Sequence, residues 1–236
     1  MLPPAVETRA LGKSFGLVPV LLDVDLRVAS GRAAVIIGGN GAGKSTLLAI
    51  LAGVSAPSSG NALIFGQESH RLAADTRRNI AMLSHHSFLY PNLTALENLE
   101  FYASLYGVRN PHDAAYEWLT RVGLANFAGE RVRRFSRGME QRLAAARAMI
   151  AAPMLLLLDE PFGALDSAGV AIMTDLIRAE LARGCAVVAS AHAPMKFDGV
   201  DLDQYEIRRG RLIPLSDHAE PPRASRLRAL LGRQNQ

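Results

Sequence analysis

A glycine-rich stretch at residues 38–45 (GGNGAGKS) fits the pattern G-x-x-x-x-G-K-[ST]. It follows an apolar run at residues 33–37 that is typical of a buried strand, and it opens a segment with helical spacing at residues 44–53. Glycines let the backbone turn tightly, so that successive N–H groups point at phosphate oxygens, and a helix N-terminus adds partial positive charge. The sequence therefore predicts a cradle for the phosphates of a nucleotide.

Each residue of this cradle has an expected task. Lys44 is expected to bridge the β- and γ-phosphates, and the hydroxyl of Ser45 is expected to ligate Mg²⁺. ATP and Mg²⁺ are thus the predicted cofactors. The predicted nucleotide contacts in this stretch are Gly38, Gly39, Asn40, Gly41, Ala42, Gly43, Lys44, Ser45 and Thr46.

Two carboxylates, Asp159 and Glu160, follow a second apolar run at residues 155–158. On their own they would more often cap a strand or pair with an arginine. Parallel α/β sheets, however, bind ligands at the carboxyl ends of their strands, where the phosphate cradle is also predicted to lie. We therefore expect Asp159 to hold Mg²⁺ through water, and Glu160 to polarise the water that attacks the γ-phosphate.

His192 ends a third apolar run, at residues 185–191. A histidine at the end of a strand is usually only a surface residue. Here three strands are predicted to bring a phosphate cradle, two carboxylates and an imidazole to one edge of a sheet. We therefore expect His192 to contact the γ-phosphate or the attacking water, and the predicted catalytic residues are Glu160, His192 and Lys44.

The order of these motifs resembles the nucleotide-binding domain of ABC transporters over about residues 5–213. The specific element is the run Ser136-Arg-Gly-Met, which opens a helix upstream of the carboxylate pair. In that family this signature closes on the ATP held by a second copy. The resemblance therefore implies a dimer around two ATP molecules, with Ser136 and Gly138 contacting the partner's nucleotide.

Three further roles follow from the same resemblance. Asp166 would belong to the loop between the two subunits, and His192 would be the family's switch histidine. Phe15 would stack on adenine, with packing in the core as the alternative for its ring.

The chain departs from the family pattern at two places. The signature reads FSRGM (residues 135–139) where the family usually has LSGGQ, and it keeps the serine and the second glycine. His85 stands where most members carry a glutamine that reaches Mg²⁺ and links the site to the membrane subunit. The resemblance thus implies a metal-ligating role for His85 and contacts with integral membrane transporter subunits near His85 and Tyr90.

The second departure, together with residues 93–108 and the signature form FSRGM-QR, is similar to the haem-export branch that works in cytochrome c maturation. That similarity implies ATP hydrolysis coupled to haem export or release of a haem chaperone. Another export-type ABC system, for drugs, polysaccharides or lipids, stays open as an alternative. A soluble ABC ATPase of translation or DNA repair is disfavoured by the single uninterrupted copy of each motif.

Composition narrows the setting in which these residues work. The net charge is +4, with arginines mostly scattered among acidic neighbours, so no nucleic-acid partner is expected. The N-terminus lacks a signal pattern, no apolar run is long enough to cross a bilayer, and there is one cysteine. We expect a peripheral protein at the cytoplasmic face of a bacterial inner membrane, without direct membrane insertion.

The elements that must position these residues are apolar runs alternating with helical segments. This pattern predicts an α/β fold with a mainly parallel sheet covered on both sides. The resemblance adds a P-loop NTPase (RecA-like) core, an N-terminal antiparallel β part and a helical signature subdomain. The expected boundaries are 1–75 and 145–215 for the ATP-binding core, 76–144 for the helical subdomain and 216–236 for a basic tail.

Overall fold

The computed structural model describes residues 3–194, 200 and 202–215. The basic tail predicted at residues 216–236 lies outside the described residues. The strands are β1 (Val6–Phe15), β2 (Val18–Val28), β3 (Ala33–Ile37), β4 (Ser59–Ile64), β5 (Gln67–Glu68), β6 (Ile80–Leu83), β7 (Leu155–Leu158), β8 (Ala186–Ala191), β9 (Leu202–Arg208) and β10 (Arg211–Pro214). The α-helices are α1 (Lys44–Leu51), α2 (Ala74–Arg78), α3 (Ala95–Leu105), α4 (Pro111–Arg121), α5 (Arg137–Met149) and α6 (Ser167–Ala182), and 3₁₀ turns span Ser69–Arg71, Ala125–Phe127 and Val132–Arg134.

The strands form two sheets. The first has four strands in the order β2-β1-β4-β5 and is antiparallel throughout. The second has six strands in the order β10-β9-β3-β8-β7-β6, and all neighbours in it are parallel except the β9–β10 hairpin. The predicted α/β fold, with a parallel core sheet and an N-terminal antiparallel part, is confirmed.

The central strands of the six-stranded sheet are buried on both faces. Along β7, Leu156 and Leu158 belong to one apolar cluster, and Leu155 and Leu157 belong to the other. Successive side chains of a strand point to opposite faces, so a fully apolar strand requires cover on both sides. The same packing fixes the carboxyl ends of β3, β7 and β8, where the predicted site residues follow.

Helices α3, α4 and α5 follow β6 and precede β7 in the chain, and they pack against one another. Helix α3 begins with a capping box: the Thr94 side chain accepts from the backbone N–H of Glu97, whose carboxylate accepts from the backbone N–H of Thr94. These hydrogen bonds lower the pKa of Glu97, the bond to the backbone being the larger cause. A cap of this kind fixes where the helix starts.

The region over residues 76–144, which the sequence predicts to be mostly helical, also contains one strand. Residues 80–83 form β6, which pairs in parallel with β7 at the edge of the core sheet. Four residues are too few for strand and helix periodicity to be told apart. We propose that the helical subdomain starts after β6.

Among the described residues, no helix is both long and apolar enough to cross a bilayer.

Candidate nucleotide-binding and hydrolysis site

The glycine-rich loop connects β3 to α1, as the sequence predicted. Gly43 has φ +106°, and a Cβ at this position would lie 2.9 Å from Leu21 Cδ2. Gly41 also has a positive φ, of +75°. The loop needs glycine at these positions because the conformation strains other residues and, at Gly43, a side chain would meet a neighbour. The backbone thereby curls around a small cavity.

This cavity has a volume of about 310 Å³. Eight of the nine predicted nucleotide contacts in the loop and the start of α1 line it, and Gly38 lies just before them. The lining residues are Val20, Gly39, Asn40, Gly41, Ala42, Gly43, Lys44, Ser45, Thr46, His85 and Glu160. The structure therefore brings the loop, the predicted metal ligands Ser45 and His85, and the predicted base to one cavity.

Lys44 is held inward although it is charged. Its Nζ donates to the carbonyl oxygens of Gly38 and Gly39 at 2.8 and 3.2 Å, and it lies 3.5 Å from Glu160 Oε1. A buried ammonium needs such partners because burial removes its hydration. The three donors of this ammonium are thus directed at the loop and the carboxylate, where a phosphate would enter.

Asp159 and Glu160 follow β7, and both are tied to β8 by Ser190. The Ser190 hydroxyl donates to Asp159 Oδ1 at 2.6 Å and accepts from the backbone N–H of Glu160 at 3.0 Å. Asp159 is only 3% exposed, so this charge-assisted hydrogen bond holds a buried carboxylate in one orientation. Sequence reasoning missed Ser190, whose only signal is a hydroxyl in an otherwise apolar strand.

Glu160 occupies an unusual backbone conformation for a residue with a side chain. Its φ is +52°, in the left-handed region. Strain of this kind persists only where the surrounding structure over-determines it, and it is frequent at functional sites. Its carboxylate lies between two groups, with Oε2 2.9 Å from His192 Nε2 and Oε1 facing Lys44. The three predicted catalytic residues are therefore in contact.

A group of metal-type ligands lies beside the phosphate cavity. Ligand atoms of His85, Asp159 and Glu160 all lie within 4.8 Å of one another, and His85 Nε2 is 3.4 Å from Asp159 Oδ2. Carboxylate oxygens and a hydroxyl suit Mg²⁺, which prefers oxygen ligands and retains water in its shell. Asp159 and Ser45 would supply oxygen ligands for this ion, and a metal-ligating role for His85 stays a prediction.

The signature residues lie at a different cavity. Ser136 is the N-cap of α5 and accepts from the backbone N–H of Met139 at 3.2 Å. Asp166 is the N-cap of α6 and accepts from Gly169 at 2.8 Å. Ser136, Gly138 and Asp166 line a cavity of about 410 Å³ that none of the P-loop residues lines. Within one copy, the predicted nucleotide contacts thus fall into two groups.

Phe15 ends β1 with 57% of its surface exposed and is not among the residues that line the P-loop cavity. Lys13 Nζ lies 5.1 Å from its ring centre. This exposure excludes the alternative that Phe15 packs in the core. Its stacking on adenine stays a prediction.

The strand–loop–helix cradle with carboxylates at the neighbouring strand end defines a P-loop nucleotide-binding protein. The family model described as ABC transporter matches residues 21–163. The chain belongs to the ABC transporter family.

Curated relatives extend over most of the chain. The cytochrome c biogenesis ATP-binding export protein CcmA of Xanthomonas campestris is 38% identical over 190 residues, covering 80% of this chain and 87% of the relative. A protein of the same name from Pseudomonas fluorescens is 32% identical and covers 88% and 100%. The lantibiotic transport ATP-binding protein SrtF of Streptococcus pyogenes is 35% identical and covers 79% and 80%.

Solved structures agree with this assignment. A dimeric ATP-binding cassette in a post-hydrolysis state, bound to ADP and Pi, superimposes with a TM-score of 0.78 at 27% identity, covering 88% of this chain and 96% of that one. The ATP binding subunit of an ABC transporter gives a TM-score of 0.79 at 26% identity, covering 100% and 95%. This chain is an ATP-binding, ATP-hydrolysing subunit of the ABC type.

Proposed function

We propose that two copies of this chain close around two ATP molecules and that hydrolysis drives integral membrane subunits. The observation that carries the hydrolytic part is the contact of Glu160 with both Lys44 and His192. A carboxylate in this place can orient a water for attack, while the lysine and histidine stabilise charge on the γ-phosphate. Mg²⁺, held by Ser45 and Asp159 with His85 at its water shell, would neutralise charge on the β- and γ-phosphates.

The dimer is supported by the separation of the signature cavity from the P-loop cavity. The N-cap hydroxyl of Ser136 and the first N–H groups of α5 form a phosphate-binding helix start. Because this helix start and the P-loop line different cavities, we propose that it serves the nucleotide of the second copy, with Gly138 beside it and Asp166 at the contact between copies. The dimeric state of the similar cassette bound to ADP and Pi is consistent with this arrangement.

The proposed contact with membrane subunits lies on an aromatic surface next to His85. Phe88 and Tyr90 are exposed, and Tyr90 packs edge-on against the exposed Phe101 of α3 at 5.1 Å. Exposed aromatic clusters are characteristic of protein interfaces. Such docking would place the chain peripherally at the cytoplasmic face of a bacterial inner membrane.

For the pathway, we propose haem export or chaperone release in cytochrome c maturation. The support is the similarity to the CcmA proteins of two genera, together with His85 and the helical segment that follows it. The similarity to a lantibiotic transport protein supports an export system with another cargo as the second candidate. The test is to purify the complex from its native membrane, identify its subunits and record an absorption spectrum. A haem spectrum with cytochrome c maturation subunits is expected; subunits of a peptide exporter without haem would contradict it.

The catalytic assignment is tested with Glu160→Gln. The variant keeps the shape and the hydrogen-bonding reach of the side chain but lacks the basic carboxylate, so kcat is expected to fall by about 10²–10⁴. ATP affinity should be retained and a dimer should accumulate with ATP, measured by nucleotide titration and light scattering. Lys44→Ala is the contrasting variant and should lose nucleotide affinity itself. Substantial turnover by Glu160→Gln would assign the base to another residue.

A further inference from the structure

Arg147 on α5 is a buried cation without a carboxylate partner among the described residues. It is 6% exposed, and burial lowers the pKa of its guanidinium. Its Nη2 donates to the carbonyl of Met82 at 3.0 Å, and its Nε has no hydrogen-bond partner. A buried charge of this kind is costly for folding. Stability alone therefore gives no reason for an arginine at this position.

The guanidinium contacts the segment between Met82 and Phe88, and it contacts helix α3. The guanidinium carbon lies 5.6 Å from the ring centre of Phe88 and 5.7 Å from that of Tyr102 on α3. The Tyr102 hydroxyl in turn donates to the backbone carbonyl of Phe88. Arg147 thus joins α5, α3 and the segment that runs from the end of β6 to the aromatic surface.

The same segment is tied at two further points. The Ser87 hydroxyl donates to Glu140 Oε1 on α5 at 2.6 Å. The side-chain amide of Asn98 on α3 makes two hydrogen bonds with the backbone of Tyr90. It accepts from the Tyr90 N–H at 2.7 Å and donates to the Tyr90 carbonyl at 3.1 Å. His85 lies between the Arg147 contact at Met82 and the Ser87 hydrogen bond, and it is exposed, with Nε2 3.4 Å from Asp159 Oδ2. The position of the His85 side chain beside Asp159 therefore depends on how the residues on either side of it are held.

We infer that Arg147 is a positioning residue that holds residues 82–90 so that His85 faces the metal-binding carboxylate. Its planar group can donate to the end of β6 while lying against two aromatic rings, which an apolar side chain cannot do. A partner that presses on Phe88 would move this clamp and, with it, His85. The inference rests on the proposed role of His85 at Mg²⁺, and it names the residue through which the aromatic surface and the nucleotide site are joined.

The test is Arg147→Met in the full chain, a change that removes the buried charge and keeps an unbranched side chain. Hydrogen exchange in residues 84–90 of the nucleotide-free protein is expected to accelerate about tenfold or more. The Mg²⁺ concentration for half-maximal ATPase activity should rise about tenfold, as for other losses of groups that orient metal ligands. The thermal midpoint should stay the same or rise, because the costly buried charge is gone.

Phe88→Leu provides a second variant that changes only an exposed ring and should shift exchange and Mg²⁺ dependence in the same direction, to a smaller extent. Arg121→Met is the control for losing an arginine that lies against an aromatic ring, since the exposed Arg121 on α4 lies 3.9 Å from the Trp118 ring centre. It should leave both readouts unchanged. Unchanged exchange in residues 84–90 of Arg147→Met, or activity that falls only in step with the thermal midpoint, overturns the inference.

His85→Ala separates this inference from the proposed function. If His85→Ala leaves the Mg²⁺ dependence unchanged, the metal assignment of His85 is wrong, and hydrogen exchange still decides whether Arg147 clamps the segment. If His85→Ala alters the Mg²⁺ dependence and Arg147→Met does not, the failure belongs to Arg147.

Discussion

Ser190 shows how one hydroxyl can set the geometry of two predicted site residues. It is fully buried in β8, and its single oxygen serves the carboxylate of Asp159 and the backbone of Glu160 at once. A buried carboxylate that loses such a donor keeps the full cost of its desolvation. The orientation of both acidic residues therefore depends on a side chain from the neighbouring strand.

Replacing Ser190 with alanine should accordingly affect both stability and turnover. We expect a loss of about 1–3 kcal/mol in unfolding free energy from the unsatisfied carboxylate and amide. We expect kcat to fall about tenfold or more as Glu160 loses its fixed position. Denaturant unfolding and steady-state ATPase assays measure the two effects.

Ser69→Ala is the control for this prediction. Ser69 is equally buried, but its hydroxyl has no hydrogen-bond partner. Removing it should leave activity unchanged and the unfolding free energy the same or slightly higher. Equal effects of the two substitutions would show that the Ser190 hydrogen bonds contribute nothing.

The residues of the site differ in how far the sequence could reveal them. Lys44, Asp159, Glu160 and His192 could be placed together, because each follows an apolar strand and parallel strands end at one edge. Ser190 could not, since a serine in a buried strand has no spacing that marks its partners. The contact of Arg147 with Met82 was equally hidden, because it joins helix α5 to strand β6, 65 positions away in the chain.

At the scale of elements, the junction of β3 with α1 combines two constraints. Gly43 adopts a left-handed backbone as the N-cap of α1, and the side chains of Val20 and Leu21 on β2 close the space beside it. Strand β2 thus supports the loop from the antiparallel sheet. The shape of the phosphate cradle depends on both sheets.

Gly43→Ala should therefore disrupt nucleotide binding. The added Cβ would lie 2.9 Å from Leu21 Cδ2 and 3.1 Å from Val20 Cγ1, in a conformation that alanine rarely adopts. We expect ATP affinity to fall about tenfold or more, since strain of this type costs about 1–3 kcal/mol and is relieved by moving the loop. Titration with a fluorescent ATP analogue measures the change.

Gly107→Ala offers a comparison at a helix end. Gly107 has φ +73°, but a Cβ there would meet nothing within 4 Å. The Gly107→Ala substitution should lower the free energy of unfolding through backbone strain and should leave ATP affinity unchanged. An unchanged affinity of Gly43→Ala would contradict the supporting role of β2.

Elements were predictable from the sequence where their pattern is strong. The apolar runs of β3, β7 and β8 and the spacing of α1 and α6 have one interpretation each. Strand β6 does not, because its four residues lie between helical segments and its pairing with β7 is non-local. Short edge strands are fixed by tertiary contacts rather than by their own pattern.

At the scale of the whole molecule, one copy has two separate cavities that the proposed dimer would join. The P-loop cavity and the signature cavity share no lining residue. If each complete site combines one cavity from each copy, defects in the two halves should complement. Lys44→Ala damages the first half, and Ser136→Ala damages the second.

Each of these variants alone should be nearly inactive, whereas an equimolar mixture should recover activity. A mixed dimer contains one site with both defects and one site with neither, so recovery of about a quarter of the wild-type rate is expected for freely exchanging, independent sites. ATPase activity of the mixture, assayed after incubation, measures this. A mixture no more active than its components would contradict sites shared between copies.

The left-handed backbone of Glu160 has a consequence for any effort to evolve or engineer this protein. Glycine or asparagine adopts such a conformation more readily than glutamate, so a library screened for heat resistance alone would enrich those residues at position 160. The survivors would gain thermal tolerance and lose the carboxylate. Screens on this scaffold should therefore select for turnover and heat resistance together.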